Sequence, residues 1–276
     1  MDRIRLIASD MDATLLDEQS QLPAGFEETI HALAELGIRF APASGRPLYT
    51  LEAMFPTLQD ELVFIGDNGG AIRWKGQNLF TSEMSPEGWR ALNRLTREQG
   101  DIAVLCGLES AYVERPFAVH DAVLRHFYTK IEYVDRLEDV TAPADKFTIY
   151  LPQHNAQQAY DTVYASQRSI YSVAVAGECW VDIMNPGVHK GAALQTLGQL
   201  WGLPSESIMA FGDTYNDAEM LQTVRYGFLM ENGSEPLRQK VPFLAPSHRE
   251  AGVMQVLHRV LAQNGCVCPE DFIPAH

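Results

Sequence analysis

Cysteine is scarce: 276 residues hold four, Cys106, Cys179, Cys266 and Cys268. The last two are separated only by Val267, and no C-x-x-C pair or histidine spacing marks a zinc site. Such sparse cysteine fits a reducing compartment, so the chain reads as cytoplasmic. No apolar run approaches the length of a membrane span. The apolar stretch that starts at Ile4 is broken at Ser9 and Asp10, too soon for a signal peptide. Positive charge is also short, with 21 Lys and Arg against 36 Asp and Glu and a net charge of −15. That balance excludes a general nucleic-acid or anionic-membrane surface. An anionic small molecule stays admissible if the site supplies local positive charge from a metal ion, a lysine or backbone N–H groups. Several familiar motifs are missing too. Gly66-Asp-Asn-Gly-Gly is not a dinucleotide fingerprint, Asn185-Pro-Gly-Val-His-Lys-Gly lacks Walker spacing, and neither G-x-S-x-G nor H-E-x-x-H occurs.

What is present is ordinary globular material, 46% hydrophobic and 21% charged, long enough for a sizeable core. Ile4 to Ser9 reads as a buried strand and Ala24 to Leu36 as an amphipathic helix stopped by Gly37. Ile38 to Ala43 and Leu62 to Ile65 follow as strands, with a helix opening at Pro47 between them. This βαβαβ order predicts a doubly wound parallel α/β sheet. Between Ser82 and Asp182 the character changes. Helical stretches (Trp89 to Glu98, Phe117 to Phe127, Asn155 to Gln167) alternate there with strands at Ile102 to Cys106, Phe147 to Leu151 and Tyr171 to Val175. A further strand at Cys179 to Met184 meets Asn-Pro-Gly. The α/β alternation then resumes, with helices at His189 to Trp201, Asp217 to Val224 and Gly252 to Ala262 and strands at Ile208 to Phe211 and Gly227 to Met230. The expected organisation is a discontinuous core, residues 1–81 and 185–276, with residues 82–184 inserted as a second domain.

Functional groups in doubly wound sheets gather at the carboxyl ends of strands. Three polar clusters fall there: Asp10-Met-Asp12, Ser44-Gly-Arg46, and Gly212-Asp213-Thr-Tyr-Asn216-Asp217. Lys190 opens the helix that re-enters the core. Carboxylates drawn together repel one another and call for a hard cation such as Mg²⁺. One of them can also attack a phosphoryl group, while a partner two residues away handles the proton of the leaving alcohol. A lysine and a hydroxyl would bind the phosphoryl oxygens. Each residue has a plainer reading: aspartates after strands cap turns, Ser44 can cap the helix beyond it, and a lone lysine is usually a solvated charge. The weight lies in the ordered set.

Together these clusters resemble the haloacid dehalogenase superfamily of phosphohydrolases, and among them the Cof type. D-M-D-A-T-L-L is similar to its first motif, A-S-G-R to the second, Lys190 in G-V-H-K-G to the third and G-D-T-Y-N-D to the fourth. M-E-N-G at Met230 to Gly233 and E-A-G-V at Glu250 to Val253 resemble its C-terminal core. The resemblance spans nearly the whole chain. It implies a Rossmann-like core with a large inserted α/β cap, and a small phosphorylated metabolite as substrate, a sugar phosphate or a phosphorylated cofactor. It implies Asp10 as nucleophile, Asp12 as general acid/base, and Ser44 and Lys190 as phosphoryl-binding groups. Mg²⁺ would be held by Asp10, the Asp12 carbonyl and Asp213, with Asp217 in or near the outer shell. Asn216 would orient that region, Arg46 and Asn68 would contact substrate or hinge, and cap residues near 112 to 130 with Lys146 would read the substrate. A monomer and a homodimer both fit.

The chain departs from the family at Ala13, where glycine is usual. If that residue must adopt a positive φ, alanine costs roughly 1 kcal/mol or more. A phosphomutase on the same fold and a non-catalytic phospho-acceptor share much of this residue set. The long insert and Asp12 speak against the acceptor, which needs neither.

Overall fold

A computed structural model describes all residues, 1–276. Its central sheet runs in the order Arg39–Pro42, Leu6–Ser9, Ile208–Gly212, Tyr226–Met230, Phe243–Ala245, all parallel, with Ile273–Pro274 antiparallel at one edge. Strands buried on both faces read as continuous apolar runs, which is why Leu6–Ser9 carries no polar alternation. The two faces nevertheless differ. Phe40, Ile7, Met209, Phe211 and Phe228 face the helices Phe26–Glu35 and Gly252–Ala262. Ala8, Ala41 and Ala210 face the helices Lys190–Trp201 and Ala218–Thr223 through Ala193, Leu197 and Leu221. Small residues on that second face let the Lys190 helix lie close to the sheet, with its first residue at the strand ends.

The third expected strand, Val63–Gly66, attaches to this sheet only through the Ala43–Ile65 bridge and the Ser44 N–H donating to the Ile65 carbonyl at 2.9 Å. It then forms a three-stranded antiparallel sheet with Ala71–Trp74 and Gln77–Thr81. That hairpin is absent from the sequence reading. Its turn is Lys75-Gly76 with φ of 50° and 71°, a primed hairpin turn without the Asn-Gly or Asp-Gly signature.

A second six-stranded sheet runs in the order Ser172–Ala176, Trp180–Met184, Ala144–Tyr150, Ile102–Gly107, Ala111–Glu114, Ile131–Val134. All its pairs are antiparallel except the last. The helices Pro86–Gln99 and Ala156–Thr162 cover one face around Trp89, Phe147 and Tyr164. Two expected helices are shorter than their periodicity suggests. Phe117 to Phe127 divides into a tight turn, Arg115–His120, and a helix, Asp121–Phe127. Asn155 to Gln167 breaks at Val163 (φ −124°, ψ −63°), where the Thr162 hydroxyl bonds back to the Gln158 carbonyl at 2.8 Å. The two crossings between the sheets are tied together, since the Asn185 amide donates to the Ser82 and Glu83 carbonyls at 3.3 and 2.8 Å. No helix is long and apolar enough to cross a membrane.

Candidate active site

Four segments converge at the carboxyl ends of the central strands. After Ser9 the chain leaves the sheet at Asp10, and Met11–Leu15 wind through one wide turn closed by Leu16 N–H on the Met11 carbonyl at 2.9 Å. Two residues of that turn are not helical: Asp12 (φ −72°, ψ 128°) and Ala13 (φ 58°, ψ 14°). Ala13 therefore stands in the left-handed region, and the alanine carries the strain a glycine would avoid.

Lys190 is fully buried and donates to Asp10 Oδ1 and, at 2.7 Å, to Asp217 Oδ1. A buried ammonium with two carboxylate acceptors is not the solvated charge that a lone lysine usually is. Asp217 Oδ2 accepts the backbone N–H groups of Asp213 and Thr214 at 3.0 and 3.2 Å. Two glycines make this possible by close approach. A Cβ on Gly212 would lie 2.4 Å from the Asp217 Cβ, and one on Gly191 would lie 2.7 Å from the Glu219 backbone carbonyl carbon. The Thr14 hydroxyl donates to Asp213 Oδ1 at 3.4 Å.

Carboxylate oxygens of Asp10, Asp213 and Asp217 all lie within 4.8 Å of one another. Burial, then the charge of Asp217, pushes Asp10 up to about 8 against the opposing pull of Lys190. Burial and Asp217 likewise raise Asp213 to about 6. For Lys190 burial acts downward, but Asp10 and Asp217 outweigh it and the net shift is upward. One ammonium thus does not balance three buried carboxylates. The donors are all hard oxygens, a set suited to Mg²⁺. Both Asp217 oxygens accept hydrogen bonds within the protein, from Lys190 and from the two amides.

The Asp12 carboxylate lies outside this cluster. Its side chain is 57% exposed and pairs with Arg46 Nη2 at 3.0 Å. Two aspartates separated by one residue thus face different partners, Lys190 for Asp10 and Arg46 for Asp12. Arg46, itself nearly buried, also donates to Met54 Sδ at 3.4 Å. Ser44 does not cap the helix Leu48–Ala53. Its hydroxyl oxygen accepts the Arg46 N–H at 3.2 Å, and its carbonyl accepts the Asn68 N–H at 2.9 Å. Asn216 is exposed and accepts from the Thr214 hydroxyl at 2.5 Å.

Asn68 and Lys146 turn out to serve the junction between the two sheets. The Asn68 amide donates to Asp182 Oδ2 at 3.0 Å. Lys146, 2% exposed, lies 3.0 Å from Asp67 Oδ1 and 3.5 Å from Asp182 Oδ2 and also donates to the Gly45 carbonyl. All of these Lys146 contacts are made within the protein, between residues of the two sheets and the Ser44–Arg46 loop. Sequence reasoning missed Asp67 and Asp182. The signal for Asp67 was its place beside Asn68 in G-D-N-G-G, and Asp182 gave only an acid inside an apolar strand.

Comparison with known proteins agrees with the geometry. The profile of haloacid dehalogenase-like hydrolases matches residues 7–257. The 5-amino-6-(5-phospho-D-ribitylamino)uracil phosphatase of Escherichia coli K12 is 31% identical over 94% of this chain and 96% of its own length. The HMP-PP phosphatase of Cronobacter sakazakii is 31% identical over 87% and 89%. Among solved structures, a Streptococcus mutans protein superposes with a TM-score of 0.84 at 28% identity, covering 94% of this chain and 99% of that one. A HAD/COF-like hydrolase from Plasmodium vivax shares the fold at a TM-score of 0.85 and 18% identity, covering 95% and 97%. The chain belongs to the haloacid dehalogenase-like hydrolases, as a phosphatase of the Cof type.

Proposed function

We propose that this phosphatase is Mg²⁺-dependent and hydrolyses a small phosphate monoester, a sugar phosphate or a phosphorylated cofactor precursor, through a phosphoryl group carried on Asp10. The observation that supports this most is the division of labour at the first turn. Asp10 faces a buried lysine and two further carboxylates, whereas Asp12 is held apart on Arg46 and open to solvent. Asp10, the Asp12 carbonyl and Asp213 would hold Mg²⁺, which when bound offsets the charge of the attacking carboxylate and of the phosphoryl oxygens. Ser44 and Lys190 would bind those oxygens. An Asp10 oxygen forms a bond to phosphorus as the bond to the leaving oxygen breaks, and Asp12 supplies the proton to that oxygen. Water then attacks the phosphorus of the acyl phosphate, Asp12 takes its proton, and the Asp10–phosphorus bond breaks. Residues 1–81 and 185–276 would carry this chemistry, with residues 82–184 acting as the cap that selects the substrate.

A panel of phosphate monoesters, 5-amino-6-(5-phospho-D-ribitylamino)uracil among them, tests the reading. Mg²⁺-dependent phosphate release from a subset is expected. No release above the chelator-treated background from any ester would overturn it.

The raised carboxylates give a second expectation. A cation that needs Asp10 and Asp213 ionised must displace protons from groups held near 8 and 6. Titrating Mg²⁺ into metal-free protein in buffers of different ionisation enthalpy should show proton release between pH 6 and pH 8, bounds set by those two values. Affinity should climb with pH and level off beyond the higher value. A pH-independent affinity without proton release would place the ion elsewhere.

A further inference from the structure

We propose that Asn232 is a positioning residue that holds the turn after Asp10 in its working shape, and that Ala13 makes it necessary. Asn232 lies in M-E-N-G, the turn that follows the strand Tyr226–Met230. Its Nδ2 donates to the Ala13 carbonyl at 2.9 Å, and its Oδ1 accepts the His248 backbone N–H at 3.0 Å. The two partners fix the amide orientation, since a carbonyl accepts only from the nitrogen side and an N–H donates only to the oxygen side. Three segments distant in sequence therefore meet in one side chain: the Asp10 turn, the M-E-N-G turn and the Ser247–Ala251 turn leading into E-A-G-V.

The same turn also supports the carboxylate loop. The Ser234 N–H donates to the Asp213 carbonyl at 2.7 Å, and a Cβ on Gly233 would come within 2.8 Å of that oxygen. M-E-N-G thus touches the backbone of both Asp213 and the Asp10 turn without contributing a reacting group.

The need for the strap follows from Ala13. With glycine at this place the left-handed backbone carries no steric penalty. With alanine at φ 58° it does, and a return to negative φ would relieve the strain. That return would rotate the neighbouring peptides. It would swing the Ala13 carbonyl away and displace Asp12 and Thr14, whose side chains meet Arg46 and Asp213. One hydrogen bond is of the same order as the strain, so the Asn232 amide suffices to oppose it.

A double-mutant cycle tests the proposal, which rests on the phosphatase reading only for its activity arm. The variants are Asn232→Ala, Ala13→Gly and the two combined. The readouts are kcat and KM with p-nitrophenyl phosphate and hydrogen exchange of the Leu16 amide, the bond that closes the turn. Asn232→Ala is expected to lower kcat about tenfold with KM changed less than about threefold, and to speed Leu16 exchange about tenfold. Strand Leu6–Ser9 should keep its protection, showing an intact fold. Relative to Ala13→Gly alone, the combined variant should lose little of either. Unchanged kcat or Leu16 exchange in Asn232→Ala overturns the proposal, and so do equal losses in the alanine and glycine backgrounds. If the wild-type protein releases no phosphate, the phosphatase reading fails, while the exchange arm still decides the strap.

Discussion

Asp10→Asn is expected to abolish phosphate release while making the metal-free protein more stable. The amide is a poor nucleophile, so kcat should fall by roughly 10⁴-fold or more, the scale of a lost nucleophile or its activating group. Stability should move the other way. Burial, then Asp217, raises Asp10 from 3.8 to about 8, so the ionised form burdens the fold despite Lys190. A carboxyl whose folded pKa lies above its unfolded one costs nothing while protonated in both states. Its cost grows as pH rises between the two values and is constant beyond the higher. The metal-free wild type should therefore lose Tm on going from about pH 4 to about pH 8, and Asp10→Asn should lose less over the same window. Mg²⁺ should raise the wild-type Tm much more than that of the variant. Full activity in Asp10→Asn would remove Asp10 from the reaction, and a lower Tm at pH 8 would show that the Lys190 pair outweighs the burial cost.

The parts of the site read from sequence are those set by local rules. Asp10, Ser44 and Asp213 follow buried strands, and Lys190 opens a helix, so the topology of a doubly wound sheet delivers all four to one edge. The fate of Asp12 was not legible, because side-chain direction depends on the backbone of one turn and on Arg46, 34 residues away. Asn68 and Lys146 were legible as polar residues near the site, but not as members of the junction. Their partners lie 114 residues away for Asn68–Asp182 and 101 for Lys146–Gly45, and periodicity carries no information over such separations. The strand Val63–Gly66 shows a related limit. Its burial was readable, yet the number of bonds it makes to the parallel sheet was not. The conformation of Ala13 could be posed only as a condition on φ, and M-E-N-G offered no chemistry until the turn it touches was seen.

Lys146→Met should be the most destabilising of the substitutions considered, by about 3–5 kcal/mol, the cost of leaving buried charges without their partner. The ammonium sits between Asp67 and Asp182, whose side chains are 2% and 5% exposed, so both carboxylates are left buried without it. Burial already holds Asp67 above its usual value with Lys146 pulling the other way, and burial together with Asp67 raises the adjoining Asp145. Without the lysine, Asp67 rises further. The folded variant then gains stability by binding protons, so its deficit relative to wild type should be large at pH 7 and smaller near pH 5. Urea unfolding at the two pH values measures this, and Asp182→Asn added to Lys146→Met should recover part of the loss. The Arg73–Glu109 pair also joins the two sheets, at 2.7 Å, but Glu109 is 68% exposed. Breaking it should cost under about 1 kcal/mol, because solvent screens it. A deficit from Lys146→Met no larger than that would mean the carboxylates are neutral in the folded protein. A large, pH-dependent deficit would locate the main electrostatic tie between core and cap at Lys146, one hydrogen bond from the Ser44–Arg46 loop.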